Sequence, residues 1–386
     1  MNRAFPRAAS ACTLVFGLSL GGMAWADTAT LPPGPLIDIN YTGNSLGTAT
    51  DAATTKSNSL TGNTVTLTSG AVDGYVVGAI NQEDDAAVTG NKVYINGGTV
   101  GRDVYGGWAA SAVTAVSNNT VSISDGSVSG NVAGGFGYVT VTGNSVTISG
   151  GTVSKNVLGA ALRSALGAPN PPSISNNTVT ISGTPTFSPT TITGTTLAGY
   201  SVICGVGLCM AMLPETFVNN TLKLYSTGLA VANVLNFNNL EFHLPASLSA
   251  GTPVLAVTDS ASLSVNTAPG GVITTIETHI SVDSTTAATL NEGDTYTLIQ
   301  AGTLNLPTGF TPITGTIKDA TGATFDYTVD VDASGNNLVL KIGNSAPPVP
   351  PSASAAAVPA TGPAALALLA LLLAATGWLT RRGARR

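Results

Sequence analysis

Along residues 63–181 the chain alternates apolar and polar positions in short bursts, and the bursts recur in one frame. Asn63 is followed by Val65, Leu67, Gly70, Val72, Val76 and Gly78. Asn91 is followed at the same offsets by Val93, Ile95, Gly98, Val100, Val104 and Gly106. Asn119 leads Val121, Ile123, Gly126, Val128, Val132 and Gly134, and Asn144 leads Val146, Ile148, Gly151, Val153, Val157 and Gly159. A fifth copy opens at Asn177, Val179 and Ile181 and then dissolves into a Pro/Thr-rich stretch. The frame restarts after 28, 28, 25 and 33 residues, so offsets are fixed inside the unit and length varies after it.

The N-x-V-x-I segment has period two, which predicts a strand with one buried face. Glycine then breaks the strand, and a later glycine marks a corner where a Cβ would crowd the bend. Two or three short strands per unit close one coil of a parallel β-helix, with coils about 4.8 Å apart. Equivalent Val and Ile then stack into columns that no single coil could bury alone. The expected fold class is therefore all-β, a right-handed parallel β-helix (solenoid) over 59–216 after a lead-in at 27–58. Asn63, Asn91, Asn119, Asn144 and Asn177 are read as a structural amide ladder, with simple turn formation as the alternative. Recurrence in a fixed frame favours the ladder. From 217 the repeat fades and strands lengthen, so 217–342 reads as a C-terminal β-rich cap over the last open edge.

Composition changes the picture at the two ends. Arg3 and Arg7 precede an apolar run from Cys12 to Leu20, and Ala24-Trp25-Ala26 comes after it. This is the layout of a secretory signal peptide over 1–26, helical in its apolar part, with Ala24 and Ala26 as the cleavage signal. At the other end, 343–362 is a Pro/Ala/Ser linker that cannot pack. Ala364–Thr380 is apolar, and at about 1.5 Å per residue it spans roughly 26 Å, enough for a single transmembrane helix. Within 363–386 the terminal Arg381, Arg382, Arg385 and Arg386 would stay on the cytoplasmic side. Without the six arginines of the two ends, the body carries 8 basic and 20 acidic residues, a net of −12. That excludes an electrostatic footprint for nucleic acid.

Little in the body carries chemistry. Cys204 and Cys209 are the cysteines left after signal removal, and in an exported chain they read as a local disulfide, with free thiols as the alternative. A zinc site would need further His or Cys close by. His243 lies in a strand pattern between Phe242 and Leu244, and neither it nor His279 falls in a triad or metal spacing. Glu83-Asp84-Asp85 has no counterpart in the other repeats and reads as a solvated loop. Asp330-x-Asp332-x-Ser334-Gly335 echoes a calcium loop, but Lys341 stands where the twelfth-position Glu is needed, so a hairpin turn is expected. No catalytic residue, cofactor or metal is assigned.

The unit N-x-V-x-I-x-x-G-x-V resembles the repeats of autotransporter-type adhesin passengers. The segments Asn220–Leu224, Val234–Phe237, Phe242–Ala246 and Gly293–Ile299 resemble the part of such passengers C-terminal to their repeats. Such passengers continue into a translocator barrel; this sequence runs instead into its tail. Val358-Pro359-Ala360-Thr361-Gly362 before the apolar run resembles the LPXTG signal read by sortases, with cleavage between Thr361 and Gly362. The same layout resembles the PEP-CTERM and IPTL-CTERM tails handled by exosortase-like enzymes; a permanent single-span anchor is the alternative. The resemblance implies a non-enzymatic, adhesin-like or structural protein of the cell surface or the secreted fraction. Its expected partners are the membrane through the C-terminal helix, a sortase- or exosortase-like processing enzyme, and a surface ligand or polysaccharide. A polysaccharide-acting β-helix enzyme and a biofilm matrix component are the alternatives.

Overall fold

A computed structural model describes residues 28–31, 35–36, 60–81, 86–109, 114–164, 173–188, 196–204, 217–266 and 275–346. The expected signal helix, the sorting motif and the terminal helix lie outside these. Among the described residues every regular element is a strand.

As far as Phe217–Val218 the coils contribute strands to three sheets. The first sheet stacks Thr64–Leu67, Lys92–Val100, Thr120–Val128, Ser145–Ile148, Thr178–Ile181, Thr221–Leu224, Asn239–Phe242 and His279–Val282, all in parallel. Thr28–Leu31 adds a further parallel strand on Thr64–Leu67. The second sheet runs from Val76–Val77 through Val104–Ala109, Val132–Gly137, Val157–Ser164, Thr196–Cys204, Leu229–Leu235 and Leu255–Ser262 to Thr295–Asn305. The third sheet holds Val88–Thr89, Ala115–Ser117, Thr140–Thr142, Ser173–Ser175 and Phe217–Val218. This parallel stacking is a β-solenoid-like architecture.

Register keeps equivalent residues in columns. Val65, Val93, Val121, Val146, Val179 and Leu222 pair in turn, as do Leu67, Ile95, Ile123, Ile148, Ile181 and Leu224. All are buried and share one core with the inward Val76, Val104, Val132 and Val157 of the second sheet. β-Branched side chains suit such columns because their rotamers are already restricted and repeat identically from coil to coil.

The repeated asparagines form a second buried column at the corner between the third and first sheets. The backbone N and the Nδ2 of Asn63 both donate to Oδ1 of Asn91, at 3.0 and 2.8 Å. Asn91 does the same to Asn119, Asn119 to Asn144, and Asn144 to Asn177. The column continues from Asn177 to Asn220 and from Asn220 to Asn238, two members outside the repeat frame of the sequence. The second hydrogen of each Nδ2 goes to a third-sheet carbonyl or its equivalent: Leu60 for Asn91, Val88 for Asn119, Val116 for Asn144 and Val141 for Asn177. Each interior amide therefore uses both donors and both acceptor sites, the full capacity of an Asn side chain.

Local backbone geometry delivers each amide to that position. The residue before each ladder Asn from Asn63 to Asn220 is left-handed: Gly62 (φ 72°), Gly90 (70°), Asn118 (56°), Gly143 (66°), Asn176 (58°) and Asn219 (58°). Glycine and asparagine are the residues that tolerate this region. The doublets Gly106-Gly107 and Gly134-Gly135 lie against the column. A Cβ on Gly107 would sit 2.7 Å from Val88 Cγ1 and 2.8 Å from Asn119 Nδ2, both fully buried.

A change of architecture falls at 217, the position from which a β-rich C-terminal cap is expected. Phe217–Val218 is the last strand of the third sheet, while the first and second sheets continue in parallel as far as Thr295–Asn305. The coil from Asn220 to Asn238 takes 18 residues because it has two sides instead of three. Larger side chains, among them Phe237, Leu240 and Phe242, fill this section in place of Val and Ile. Thr278 occupies the rung after Asn238 and donates to the Phe237 carbonyl at 2.7 Å, so the amide column ends there. Ser264–Asn266 and Thr275–Glu277 pair antiparallel just before it, and an antiparallel end-sheet follows: Thr295–Asn305 pairs Asn337–Ala346, which pairs Thr324–Val331, which pairs Ile313–Lys318.

Replacing Asn119 by Ala strips the acceptor from two buried donors of Asn91 and the donor from the Val88 carbonyl. We expect a loss of about 3 kcal/mol in chemical denaturation, against a few tenths for Asn96→Ala at an exposed position of the preceding coil.

Candidate functional site

Of the residues expected to matter outside the ladder, Ala24, Ala26, Cys209 and Val358–Gly362 lie outside the described residues. Cys204 is the last residue of Thr196–Cys204, in register with Ser164. In the described body, side chains free to meet a partner lie on the outer faces of the sheets.

The second sheet departs from simple alternation. Its inward residues Val76, Val104, Val132 and Val157 belong to the main core, while their neighbours Val77, Tyr105, Ala133 and Leu158 belong to a separate apolar cluster. Ile80, Phe136 and Ala161 join that outer cluster, with Tyr75, Trp108 and Leu235 packed against it half-exposed. This sheet is apolar on both faces, and its sequence, such as Val104-Tyr105-Gly106-Gly107-Trp108-Ala109, is a near-continuous apolar run. Such a run is the sequence signal of a two-sided sheet, and period-two alternation does not reveal it.

Aromatic rings make up the centre of the outer cluster. Tyr105 lies 6.5 Å from Tyr75, 5.7 Å from Trp108 and 5.6 Å from Phe136, and Trp108 meets Phe136 edge-on at 5.6 Å. The Arg102 guanidinium lies 5.4 Å over the Tyr75 ring. Column register sets these neighbours, since Ile80, Trp108, Phe136 and Ala161 are successive partners. Burial, and then the adjacent Asp103 carboxylate that accepts from its hydroxyl at 2.9 Å, hold the Tyr105 phenol well above its usual range.

Asp103 also ends a second, shorter polar column. Asn131 donates through Nδ2 to Asp103 Oδ1 at 3.0 Å, and Asn156 donates likewise to Asn131 at 3.0 Å. Here donors point toward the preceding coil, opposite to the main column. An acceptor-only carboxylate suits the end of such a chain because it leaves no side-chain N–H behind.

A polar cluster occupies the outer face of the first sheet where the coil is two-sided. Tyr225, His243 and Asp283 stand just past the ends of its strands in three successive coils. The His243 ring stacks on Tyr225 at 4.0 Å and 6°, and its Nδ1 lies 2.8 Å from Asp283 Oδ2. Glu241 Oε2 sits 3.7 Å from Nε2 and accepts an ion pair from Lys223 Nζ at 2.8 Å. The bond to Glu241 raises the Lys223 ammonium above its ordinary range. Glu241 and Asp283 are acidic residues brought together from adjacent coils, and each already holds a basic partner. Sequence spacing alone does not reveal this cluster, because Asp283 meets His243 only through the stacking of coils.

Other carboxylates close a turn or pair across neighbouring strands. Asp332 accepts from Ser334 N and Oγ and from Asn337, which closes the hairpin expected there, and Lys341 pairs with Asp330 at 3.3 Å. Glu83-Asp84-Asp85 lies outside the described residues. Among the described residues no three His, Cys, Asp or Glu side chains gather as a metal-ligand group. No family model matches the sequence, and no curated protein or solved structure is significantly similar to it.

Two outcomes are expected. Phe136→Ala removes a ring shared by Tyr105 and Trp108 and should cost roughly 3 kcal/mol, with a red shift in Trp108 emission. At Asp319, burial raises the carboxyl, but bonds from the Thr321 hydroxyl and the backbone of Leu290, Thr321 and Ala323 outweigh it, so its ionisation is shifted below the ordinary value. A depressed carboxyl stabilises the fold above its unfolded value near 3.9 and loses that contribution as pH falls through the folded one. Thermal melts from pH 6.5 to 2.5 should therefore fall more steeply for the native chain than for Asp319→Asn.

Proposed function

We propose that the chain is an exported, non-enzymatic surface protein: a right-handed β-solenoid stalk, adhesin-like or structural, delivered by its C-terminal tail. The right hand is the one that strand twist imposes on parallel crossovers. In this reading residues 1–26 direct export, and 363–386 hold the chain in a membrane until a sortase- or exosortase-like enzyme reads Val358–Gly362. Cys204 and Cys209 close a local disulfide once the chain is outside. The resemblance to adhesin passengers covers the repeats and the segments after them.

One observation carries the reading. The strands keep a strict frame while the connections between second and third sheets differ in every coil, spanning 82–87, 110–114, 138–139, 165–172 and 205–216. A regular scaffold with tolerant connections at one corner is the arrangement in which binding resides on loops. The half-exposed Tyr75 and Trp108 of the second sheet add aromatic contact area, the kind enriched at interfaces. A surface ligand or polysaccharide is the proposed contact.

The test combines location and attachment. Intact-mass and terminal-peptide measurement of protein recovered from cells should find Asp27 as the first residue and no peptide beyond Thr361; recovery of Arg386 would exclude cleavage. Whole cells carrying Gly/Ser replacements of 110–113 and 165–172 should keep the protein on the surface and lose attachment. Unchanged attachment would remove the adhesin reading.

A further inference from the structure

Among the described residues His243 Nε2 is a buried side-chain atom without a hydrogen-bond partner. A carboxylate oxygen can only accept, so the Nδ1 facing Asp283 at 2.8 Å carries the ring's hydrogen in the neutral form. Nε2 is then a bare lone pair, 3.7 Å from Glu241 Oε2, too far and of the wrong kind for a hydrogen bond. Protonation puts an N–H at that atom, pointing toward a carboxylate.

We propose that His243 is a pH-dependent latch across three coils, open at Nε2 when neutral and bridging Glu241 to Asp283 when protonated. The backbone places the three levels directly on one another: His243 N donates to the Leu224 carbonyl, and Asp283 N donates to that of Phe242. Tyr225 stacks on the ring from the coil before, Glu241 lies on the same strand, and Asp283 comes from the coil after. Lys223 is the cation of the group and opposes the imidazolium, but it is already bound to Glu241 at 2.8 Å. His279 is opposite Asn239, at the far end of the strand, and does not face the ring. Two carboxylates against one ammonium leave a surplus of negative charge around the imidazole. The latch sits where the solenoid has just lost its third sheet and its amide column has ended, so a side-chain link replaces the missing rung. This inference concerns the body alone and stands whether or not the chain is a surface adhesin.

The contribution is present where the imidazole is protonated and is lost as pH rises. Hydrogen exchange on the full chain, corrected for intrinsic rates, reads it at 239–243 and 279–283 with 120–128 as internal reference. Protection of the first two segments should rise roughly fivefold between pH 8 and 5.5, and the reference should not follow. Histidine-labelled NMR, with His279→Asn to separate the two rings, should show protonation of His243 tracking the rise in protection. His243→Gln should abolish the rise, and Glu241→Gln should reduce it. An equal rise in the native chain and His243→Gln overturns the latch. Should that variant not fold, a full rise in both Glu241→Gln and Asp283→Asn overturns it instead.

Discussion

An amide buried in a protein interior must place two hydrogens and two lone pairs, and this solenoid meets that demand only by repeating it. Asn119 is satisfied because Asn91 lies one coil below, Asn144 one coil above, and the Val88 carbonyl beside it. A coil that returned its asparagine out of place would leave two donors unpaired on the preceding asparagine and an acceptor unpaired on the next. The requirement fixes the start of each coil, whatever the length of the chain in between. Coils of 28, 25, 33 and 43 residues are thereby compatible with one column. The Gly-Gly doublets and the left-handed residues before Asn63 to Asn220 arise from the same demand.

The column also explains the change at the C-terminal half. It crosses the loss of the third sheet, with Asn238 anchored on the Phe217 carbonyl, and stops one rung later at Thr278. Beyond that point larger side chains and an antiparallel end-sheet take over cohesion. Polar links between coils become local and more exposed, as in the Tyr225–His243–Asp283 stack. The interior is held by identical rungs and the later coils by individual contacts, so mutation should act through different mechanisms in the two parts.

Much of this frame was legible in the sequence because its cause is periodic. Asn63 to Asn144 share constant offsets to Val and Gly, Asn177 keeps the first two apolar offsets, and the pairing registers of those Val and Ile columns match them. Asn220 and Asn238 escape the frame because their flanking residues are Leu, Phe and Lys in place of Val and Ile, and because the coil between them has dropped a side. The outer aromatic cluster is hidden by a different cause. Tyr105, Trp108 and Phe136 face outward across a sheet apolar on both sides, where alternation vanishes. Contacts such as His243 with Asp283 depend on which coils stack, and linear spacing carries no trace of that.

The claim that one continuous, fully bonded amide column sets the coil frame is tested most directly by side-chain hydrogen exchange. In a labelled sample the Nδ2 hydrogens of Asn91, Asn119, Asn144, Asn177 and Asn220 should exchange orders of magnitude more slowly than those of the exposed Asn96 and Asn336. They should also exchange at similar rates, as members of one cooperative column. Ladder amides that exchange as fast as Asn336 would contradict the account.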